Sequence, residues 1–331
     1  MDVSTSSKPR ESWIDCLRGL AILLVIADHS AIATAQRLGS APHIVEALND
    51  AANPFRMATL MFLSGMLLPQ SLRKTRRQYF CGKFSHIAWP YLLWSCIILG
   101  VYSLGYWIQG TQPLGLGMFL RIIYSPPTLL WYLAYLLVFY LIAAWLSCRL
   151  KVLLIPLTMI ASGLVGGDAS WQSMLYLFGF FLAGDMAART RAKWEAFMTN
   201  PAALAAGALL AVLAAAVSAA GGEVRYQAIW AVPVAGGIFV AIPIAKALAT
   251  TRVGQLVAGE GRDSIVYYVT HAVVVLILAE SLAAIGVSST WAIYLVCFIS
   301  ALAVGWIALR CARRSAAVEW AFRLPLVRVR V

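Results

Sequence analysis

An arginine and a histidine stand eleven residues apart in one apolar stretch of the chain, residues 14–33. On a helix, eleven residues make three turns plus about 20°, so Arg18 and His29 lie on the same face, about 16 Å apart. Ionisable side chains cost about 2.5 kcal/mol or more each in a membrane span, and they usually mark a functional site. The spacing predicts a cation near one membrane surface and an imidazole inside the membrane that can accept a proton.

Further ionisable side chains are predicted to lie at matching depths. Counting residues from the span ends puts Arg56 and Glu280 in an outer layer with His29. The same count puts Arg18 in an inner layer, with His271 slightly deeper. The basic residues that share the inner layer are Arg73, Arg76 and Arg77.

The composition indicates that membrane helices must position these side chains. The 331 residues are 61% hydrophobic and 12% charged, and the charged share is about half that of a soluble domain. The predicted fold class is therefore all-α, a polytopic bundle of transmembrane helices. A net charge of +12 would suggest nucleic acid in a soluble chain, but here the positive-inside rule explains most of it. The six cysteines have no metal-site spacing, so neither a zinc site nor a structural disulfide is expected.

Ten apolar segments are candidate spans, and counts of nine or eleven are the alternatives. The second and fifth are short for a bilayer about 30 Å thick, so one of them is expected to be tilted, broken or partly re-entrant. The predicted spans are 14–33, 53–68, 86–108, 129–148, 152–165, 171–188, 201–220, 228–248, 264–285 and 291–311. We expect one integral-membrane domain over residues 1–331, without a cleavable signal and with short cytosolic tails at about 1–12 and 313–331.

Lysine and arginine are concentrated on one side of this arrangement. With a cytosolic N-terminus, the inner segments hold 21 of the 26 basic residues, and the outer loops hold only Arg37, Arg121 and Arg225. This asymmetry predicts that both termini are cytosolic.

Each candidate residue also has an explanation that involves no chemistry. An arginine at the end of a span commonly reaches to the headgroups, and Arg56 or Glu280 can do the same. A single histidine in a membrane often only packs against a neighbouring helix. A basic run is an ordinary feature of an inner loop. The combination at matched depths favours a site.

The segment IDCLRGLAILLVIADH resembles the opening span of the bacterial integral-membrane acyltransferases of acyltransferase family 3, in which ten residues separate a basic residue from a histidine. Arg18 and His29 match that pattern. Four later segments resemble further motifs of the family in order, and together they cover nearly the whole chain. They are FRMATLMFLSGMLL at 55–68, WPYLLW at 89–94, LWYLAYLL at 130–137 and DSIVYYVTH at 263–271.

The resemblance implies an O-acyltransferase that moves an acyl group, usually acetyl from acetyl-CoA, to a sugar hydroxyl. The acceptor would be an exopolysaccharide, a cell-envelope glycan or a lipid-linked oligosaccharide. It implies an integral protein of the bacterial inner membrane, with glycan-biosynthesis enzymes as candidate partners, no nucleic acid and no metal. Family members often carry an attached extracytoplasmic hydrolase-like domain, and this chain resembles the stand-alone members.

The predicted donor site binds acyl-CoA from the cytosol. The phosphates of CoA would form charge-assisted hydrogen bonds with Arg18 and with Arg73, Arg76 or Arg77. The pantetheine arm would then follow Ile22 and Val25 and bring the thioester to His29, because its length is comparable to the separation of about 16 Å.

The predicted catalytic residue is His29, as the general base that takes the proton of the sugar hydroxyl. Glu280 is the predicted partner that fixes its tautomer, since the adjacent Asp28 points about 100° away on the helix. Arg56 would stabilise the thioester oxyanion or hold the acceptor. Further candidates for the site are Asp28, His271 and Ser64.

Three alternatives remain open from the sequence. His29 could carry the acyl group as a covalent intermediate, in which case the protein would stay labelled when acceptor is absent. The chain could instead be a transporter or flippase for a lipid-linked glycan that uses the His, Glu and Arg side chains as a proton relay, although no inverted repeat is evident. A scaffold subunit without activity would leave the alignment of Arg18 and His29 unexplained.

Overall fold

The computed structural model describes residues 11–126, 129–165 and 169–325, and these residues fold into helices without any strand. The predicted all-α fold class is confirmed. The helices are α1 (Ser12–Leu38), α2 (His43–Met66), α3 (Leu68–Ser71), α4 (Arg76–Lys83), α5 (Trp89–Ile108), α6 (Leu116–Tyr124), α7 (Trp131–Ala143), α8 (Cys148–Leu164), α9 (Ala169–Arg189), α10 (Arg191–Met198), α11 (Pro201–Ala219), α12 (Ala231–Leu248), α13 (Arg252–Arg262), α14 (Ser264–Ala284), α15 (Thr290–Ala312) and α16 (Ala316–Trp320). A π-helical turn, Phe84–Ala88, joins α4 to α5.

Ten of these helices overlap the ten predicted spans. Six helical segments of the described residues are long and apolar enough to cross a membrane, namely α1, the continuous segment from α4 through α5, α11, α12 with the turn before it, α14 and α15. The helices α2, α7, α8 and α9 overlap the other four predicted spans, and α7 ends at Ala143, five residues before the predicted end of its span. The count of ten and the cytosolic termini stay predictions, and residues 1–10 and 326–331 of the predicted tails lie outside the described part.

The second predicted span belongs to a longer helix than the apolar pattern indicated. Helix α2 has 24 residues, begins at His43 and continues through Pro54 without a break. Asn49 and Arg56 interrupt its apolar run, yet both are buried, at 6% and 5% exposure. The first two turns of α2 also carry His43, Glu46 and the exposed Asp50, so hydropathy alone placed the start of the span at residue 53.

Glycines allow α2 and α9 to pack with their backbones in contact. A Cβ atom added at Gly65 would clash with the carbonyl oxygen of Phe181, and one added at Gly184 would clash with the carbonyl oxygen of Phe62. Small residues at such contacts let membrane helices approach closely and form dense interfaces. This pair of helices carries Arg56 and Ser64, so the contact helps to fix both side chains.

Replacing Gly184 with valine is expected to lower the free energy of unfolding by about 3 kcal/mol, because the branched side chain has no space against α2. The measurement is unfolding of the purified protein in detergent, followed by circular dichroism. The control is Gly100→Ala, since a Cβ atom at Gly100 meets nothing within 4 Å. Equal stability of the two variants would contradict the close packing.

Two segments outside the predicted spans also pack against the bundle. Helix α13 lies against the start of α1, where Gly19 faces Val257 and Gly261 faces the backbone of Asp15. Near the C-terminus, the indole nitrogen of Trp94 donates to the carbonyl oxygen of Ala321 at 2.8 Å. The described part of the predicted tail is therefore docked on α5.

Lys151 and Asp185 form an ion pair inside the bundle. The Lys151 Nζ atom lies 2.8 Å from Asp185 Oδ2, and the two side chains are 1% and 0% exposed. Arg189 Nε donates to the other carboxylate oxygen at 3.0 Å. The sequence pattern assigns Lys151 to an inner loop, whereas its side chain points into the protein and ties α8 to α9.

Candidate active site

Two histidines from different helices form the centre of the candidate site. His29 Nδ1 on α1 lies 2.7 Å from His271 Nε2 on α14, and the two ring planes are within 5° of parallel. His271 is completely buried, and His29 is partly buried. The second ring nitrogen of His271, Nδ1, lies 3.1 Å from the carbonyl oxygen of Tyr267.

These contacts assign the protons of both rings when the rings are neutral. A carbonyl oxygen only accepts hydrogen bonds, so Nδ1 of His271 carries a hydrogen and donates to Tyr267. A neutral His271 then has no hydrogen on Nε2, and this nitrogen accepts from Nδ1–H of His29. The Nε2 atom of His29 is left with its lone pair. That nitrogen can take a proton from a substrate hydroxyl.

The predicted depth of His271 is wrong. The sequence count placed it in the inner layer with Arg18, because it is the 8th residue of the predicted span 264–285 whereas His29 is the 16th residue of the predicted span 14–33. The hydrogen bond between the two rings brings them to the same level. The count assumes that all spans begin at one depth and run parallel, and these two helices do not meet that condition.

The predicted contact between Glu280 and His29 is also wrong. The Glu280 carboxylate lies 2.5 Å from the guanidinium of Arg37, and these side chains are 42% and 38% exposed. Glu280 follows His271 by nine residues on α14, which corresponds to about 13 Å along the helix. His271 holds the position beside His29 that the sequence pattern suggested for an acidic residue.

Arg56 and Asp28 form a second polar cluster next to the histidines. Arg56 Nη1 lies 3.0 Å from Asp28 Oδ1, and Arg56 also donates to Asn53 Oδ1 at 2.9 Å and to the carbonyl oxygen of Leu24 at 3.2 Å. The Arg56 side chain is 4% exposed and contacts α1 at Asp28, the residue before His29. Asp28 is turned toward Arg56, so its carboxylate balances a buried positive charge.

A row of buried side chains with hydroxyl groups, the hydroxyl row, begins beside the histidines and consists of Tyr268, Tyr132, Ser64 and Tyr140. The ring of Tyr268 lies 5.7 Å from the ring of His271 and 5.5 Å from that of Tyr132. The hydroxyl groups of Tyr132 and Ser64 share a hydrogen bond of 3.1 Å, and the Tyr140 hydroxyl donates to the carbonyl oxygen of Ser64 at 2.7 Å. All five residues are buried. They connect α14, α7 and α2 into one polar core.

Arg18 lies on α1, eleven residues or about three helical turns before His29. Its side chain is only 13% exposed, and its Nη1 atom is 3.7 Å from Asp15 Oδ1. Arg18 therefore faces the protein interior, which argues against a role as a headgroup anchor.

The other predicted phosphate-binding arginines lie on or before α4. Arg73 and Arg77 are exposed, and the guanidinium of Arg76 lies 4.9 Å from the ring centre of Trp145. Lys83 belongs to the same basic segment, residues 73–83, although the sequence analysis did not identify it as a site residue. Its Nζ atom is 3.3 Å from the ring centre of Tyr140, so it joins this segment to the hydroxyl row.

The predicted path of the pantetheine arm is only partly open. Val25 is 4% exposed and packs in the core. Ile22 lines a mostly apolar cavity of about 260 Å³ between α1, α13, α14 and α15, together with Gly19 and Tyr267. Open space beside α1 thus lies next to Ile22, whereas the Val25 side chain is packed in the core.

A family model described as an acyltransferase domain matches residues 11–310 of the chain. Comparisons with curated proteins and with solved structures find no match. The matched range contains Arg18, Arg56 and both histidines of the site. Since the model covers most of the 331 residues and the helices are long and apolar enough to cross a membrane, the protein is a membrane acyltransferase. The chain belongs to acyltransferase family 3.

Proposed function

We propose that this protein transfers an acyl group, most simply acetyl, from cytosolic acyl-CoA to a sugar hydroxyl. The acceptor class is an exopolysaccharide, a cell-envelope glycan or a lipid-linked oligosaccharide at the bacterial inner membrane. The observation that carries the proposal is the 2.7 Å contact between His29 and His271, because it leaves Nε2 of His29 as a proton acceptor. A general base positioned in this way typically accelerates the attack of a hydroxyl group by about 10²- to 10⁴-fold.

In the proposed reaction, the sugar oxygen attacks the carbonyl carbon of the thioester while Nε2 of His29 takes the hydroxyl proton. A C–O bond forms and the C–S bond breaks. The CoA sulfur leaves as a thiol with the proton that His29 returns. Arg56 would stabilise negative charge on the carbonyl oxygen, and its bonds to Asp28 and Asn53 hold it in place without reorganisation.

The proposed donor site consists of Arg18 and the basic segment. Guanidinium groups bind phosphate oxygens in pairs of hydrogen bonds, so Arg18 and the basic segment would bind the CoA phosphates. The exposed Arg73 and Arg77 are free to approach a cytosolic ligand. The acyl end would then point toward His29.

The function is tested with purified protein in lipid vesicles, radiolabelled acetyl-CoA and a panel of glycan acceptors. We expect label on at least one glycan. Label that stays on the protein without acceptor would replace direct transfer by the acyl-His29 route. Unchanged acetyl-CoA with every acceptor, together with passage of lipid-linked glycan across the vesicles, would overturn the proposal in favour of a transporter.

His271 acts as a positioning residue in this proposal. Removal of a group that orients a metal-bound histidine typically lowers activity about 10- to 100-fold, and we expect an effect of at least this size for a histidine base. His271→Phe is expected to lower kcat by that amount without changing KM for acetyl-CoA, because the donor site lies elsewhere. His271→Gln, which restores a hydrogen-bond acceptor for Nδ1–H of His29, should recover part of kcat. Equal kcat for the two variants would contradict the role.

Arg18→Gln is expected to raise KM for acetyl-CoA about tenfold with kcat nearly unchanged, since a hydrogen bond to a charged group is worth about 1.5–3 kcal/mol. The measurement is initial-rate kinetics with varied acetyl-CoA. Arg262→Gln is the matched control, because Arg262 lies 3.8 Å from the same Asp15 but is 56% exposed. A similar KM for both variants would show that Arg18 does not bind the donor.

A further inference from the structure

A cavity of about 710 Å³ lies between the end of α6, the start of α7, the start of α9 and the segment that joins α11 to α12. None of the candidate residues discussed above lines it. Its aromatic lining consists of Tyr124, Trp131, Tyr135, Trp171 and Tyr226. Several serines and a glutamine add polar groups, and Arg225 is the one charged residue of the described lining.

Arg225 and Tyr226 form a preset edge of this cavity. Arg225 donates to the Tyr226 hydroxyl at 2.9 Å, and its guanidinium carbon lies 4.6 Å from the centre of that ring. Tyr226 has a φ of 60°, and it is the single non-glycine residue with positive φ in the described part of the chain. Its ring contacts Trp131 and Tyr176, at 6.5 and 6.0 Å between ring centres. These contacts hold an unfavourable backbone conformation that presents the Tyr226 side chain to the cavity.

This lining has the chemistry of a carbohydrate site with one anionic group. Aromatic side chains offer apolar faces with polar edges, and sugar rings present C–H faces surrounded by hydroxyl groups. Serine and glutamine side chains supply hydrogen bonds that fix orientation in such pockets. A guanidinium group pairs with carboxylate or phosphate oxygens. No carboxylate lines the described cavity to compete for Arg225.

The cavity is also placed to supply the second substrate of the proposed reaction. Trp131 of the lining precedes Tyr132, whose ring packs against Tyr268 beside His271. Arg18 lies about three helical turns before His29 on α1, so the two substrates would approach the histidines from different directions.

We propose that this cavity binds the acceptor as an anionic carbohydrate, a sugar that carries a carboxylate or a phosphate, with Arg225 bound to the anion and Trp131, Trp171 and Tyr226 against the sugar rings. The role of this carbohydrate as acceptor rests on the proposed function. Its binding to the cavity does not depend on that function.

The test measures binding without any acyl donor, by equilibrium dialysis of the purified protein in detergent. The probes are radiolabelled p-nitrophenyl glucuronide, glucose 1-phosphate and neutral p-nitrophenyl glucoside. We expect at least one anionic probe to bind more tightly than the glucoside, and the stronger of the two identifies carboxylate or phosphate as the anion. Arg225→Gln should weaken that probe about tenfold, and Trp171→Ala should weaken all bound probes. Arg37→Gln is the matched control for loss of one positive charge outside the lining.

Equal binding of the anionic probe by the wild type and Arg225→Gln would overturn the proposal, as would a preference for the glucoside or no binding of any probe by the wild type. These results would leave the donor reaction untouched. Conversely, the wild type could bind the anionic probe more tightly than Arg225→Gln and yet transfer no acetyl group to any acceptor. This result would overturn the proposed function and support the carbohydrate site.

Discussion

His29→Ala is expected to lower kcat for acyl transfer by about 10²- to 10⁴-fold, because the sugar hydroxyl then loses the base that accepts its proton. KM for acetyl-CoA should change little, since the proposed phosphate contacts are with Arg18 and the basic segment. The measurement is transfer of radiolabelled acetyl from acetyl-CoA to a glycan acceptor by purified wild type and variant at matched protein concentration.

His43→Ala is the matched control for this variant. The His43 side chain is 96% exposed at the start of α2, so we expect activity within about twofold of the wild type. Circular dichroism and size-exclusion chromatography show whether His29→Ala keeps its fold. A folded His29→Ala variant with more than a tenth of wild-type kcat would exclude His29 as the base.

Asp185→Asn is expected to lower the free energy of unfolding by about 3–5 kcal/mol, because it leaves Lys151 as an uncompensated buried charge. The two side chains are 1% and 0% exposed, so water cannot solvate the ammonium group after the change. The measurement is denaturant unfolding of the detergent-purified protein followed by circular dichroism.

Two further variants separate charge burial from simple loss of an ion pair. Glu319→Gln removes the Arg323 partner at 52% exposure and should change stability by less than about 1 kcal/mol. The double variant Lys151→Met with Asp185→Leu removes both charges, and it should recover most of the lost stability. If Asp185→Asn unfolds like Glu319→Gln, the pair is not buried in the folded protein.

The sequence predicted the helical architecture and the first half of the site because the relevant signals are local. Arg18 and His29 stand on one helix, and helix geometry alone puts them on one face. Their spacing also matches a family motif that the chain carries. None of this requires knowledge of how helices are arranged around each other.

The partner of His29 could not be predicted because it depends on relative helix depth. Residue counting favoured Glu280 and displaced His271, yet the imidazole on α14 makes the contact. Asp28 and Arg56 stand 28 residues apart on consecutive helices and form an ion pair. The sequence could have indicated this pair, because each of the two predicted spans contains one of these opposite charges. Lys151 and Asp185 were hidden because both stand near predicted span ends, where charges are ordinary.

The hydrogen bond from His271 Nδ1 to the carbonyl oxygen of Tyr267 limits where protons can travel. A carbonyl oxygen does not pass a proton onward, so a proton that enters at His29 reaches His271 at most and must return by the same route. In the proposed reaction, the histidine pair therefore holds the proton during one turnover and does not pass it across the bilayer. Turnover should therefore be indifferent to an imposed transmembrane voltage, which would drive a relay that spans the membrane.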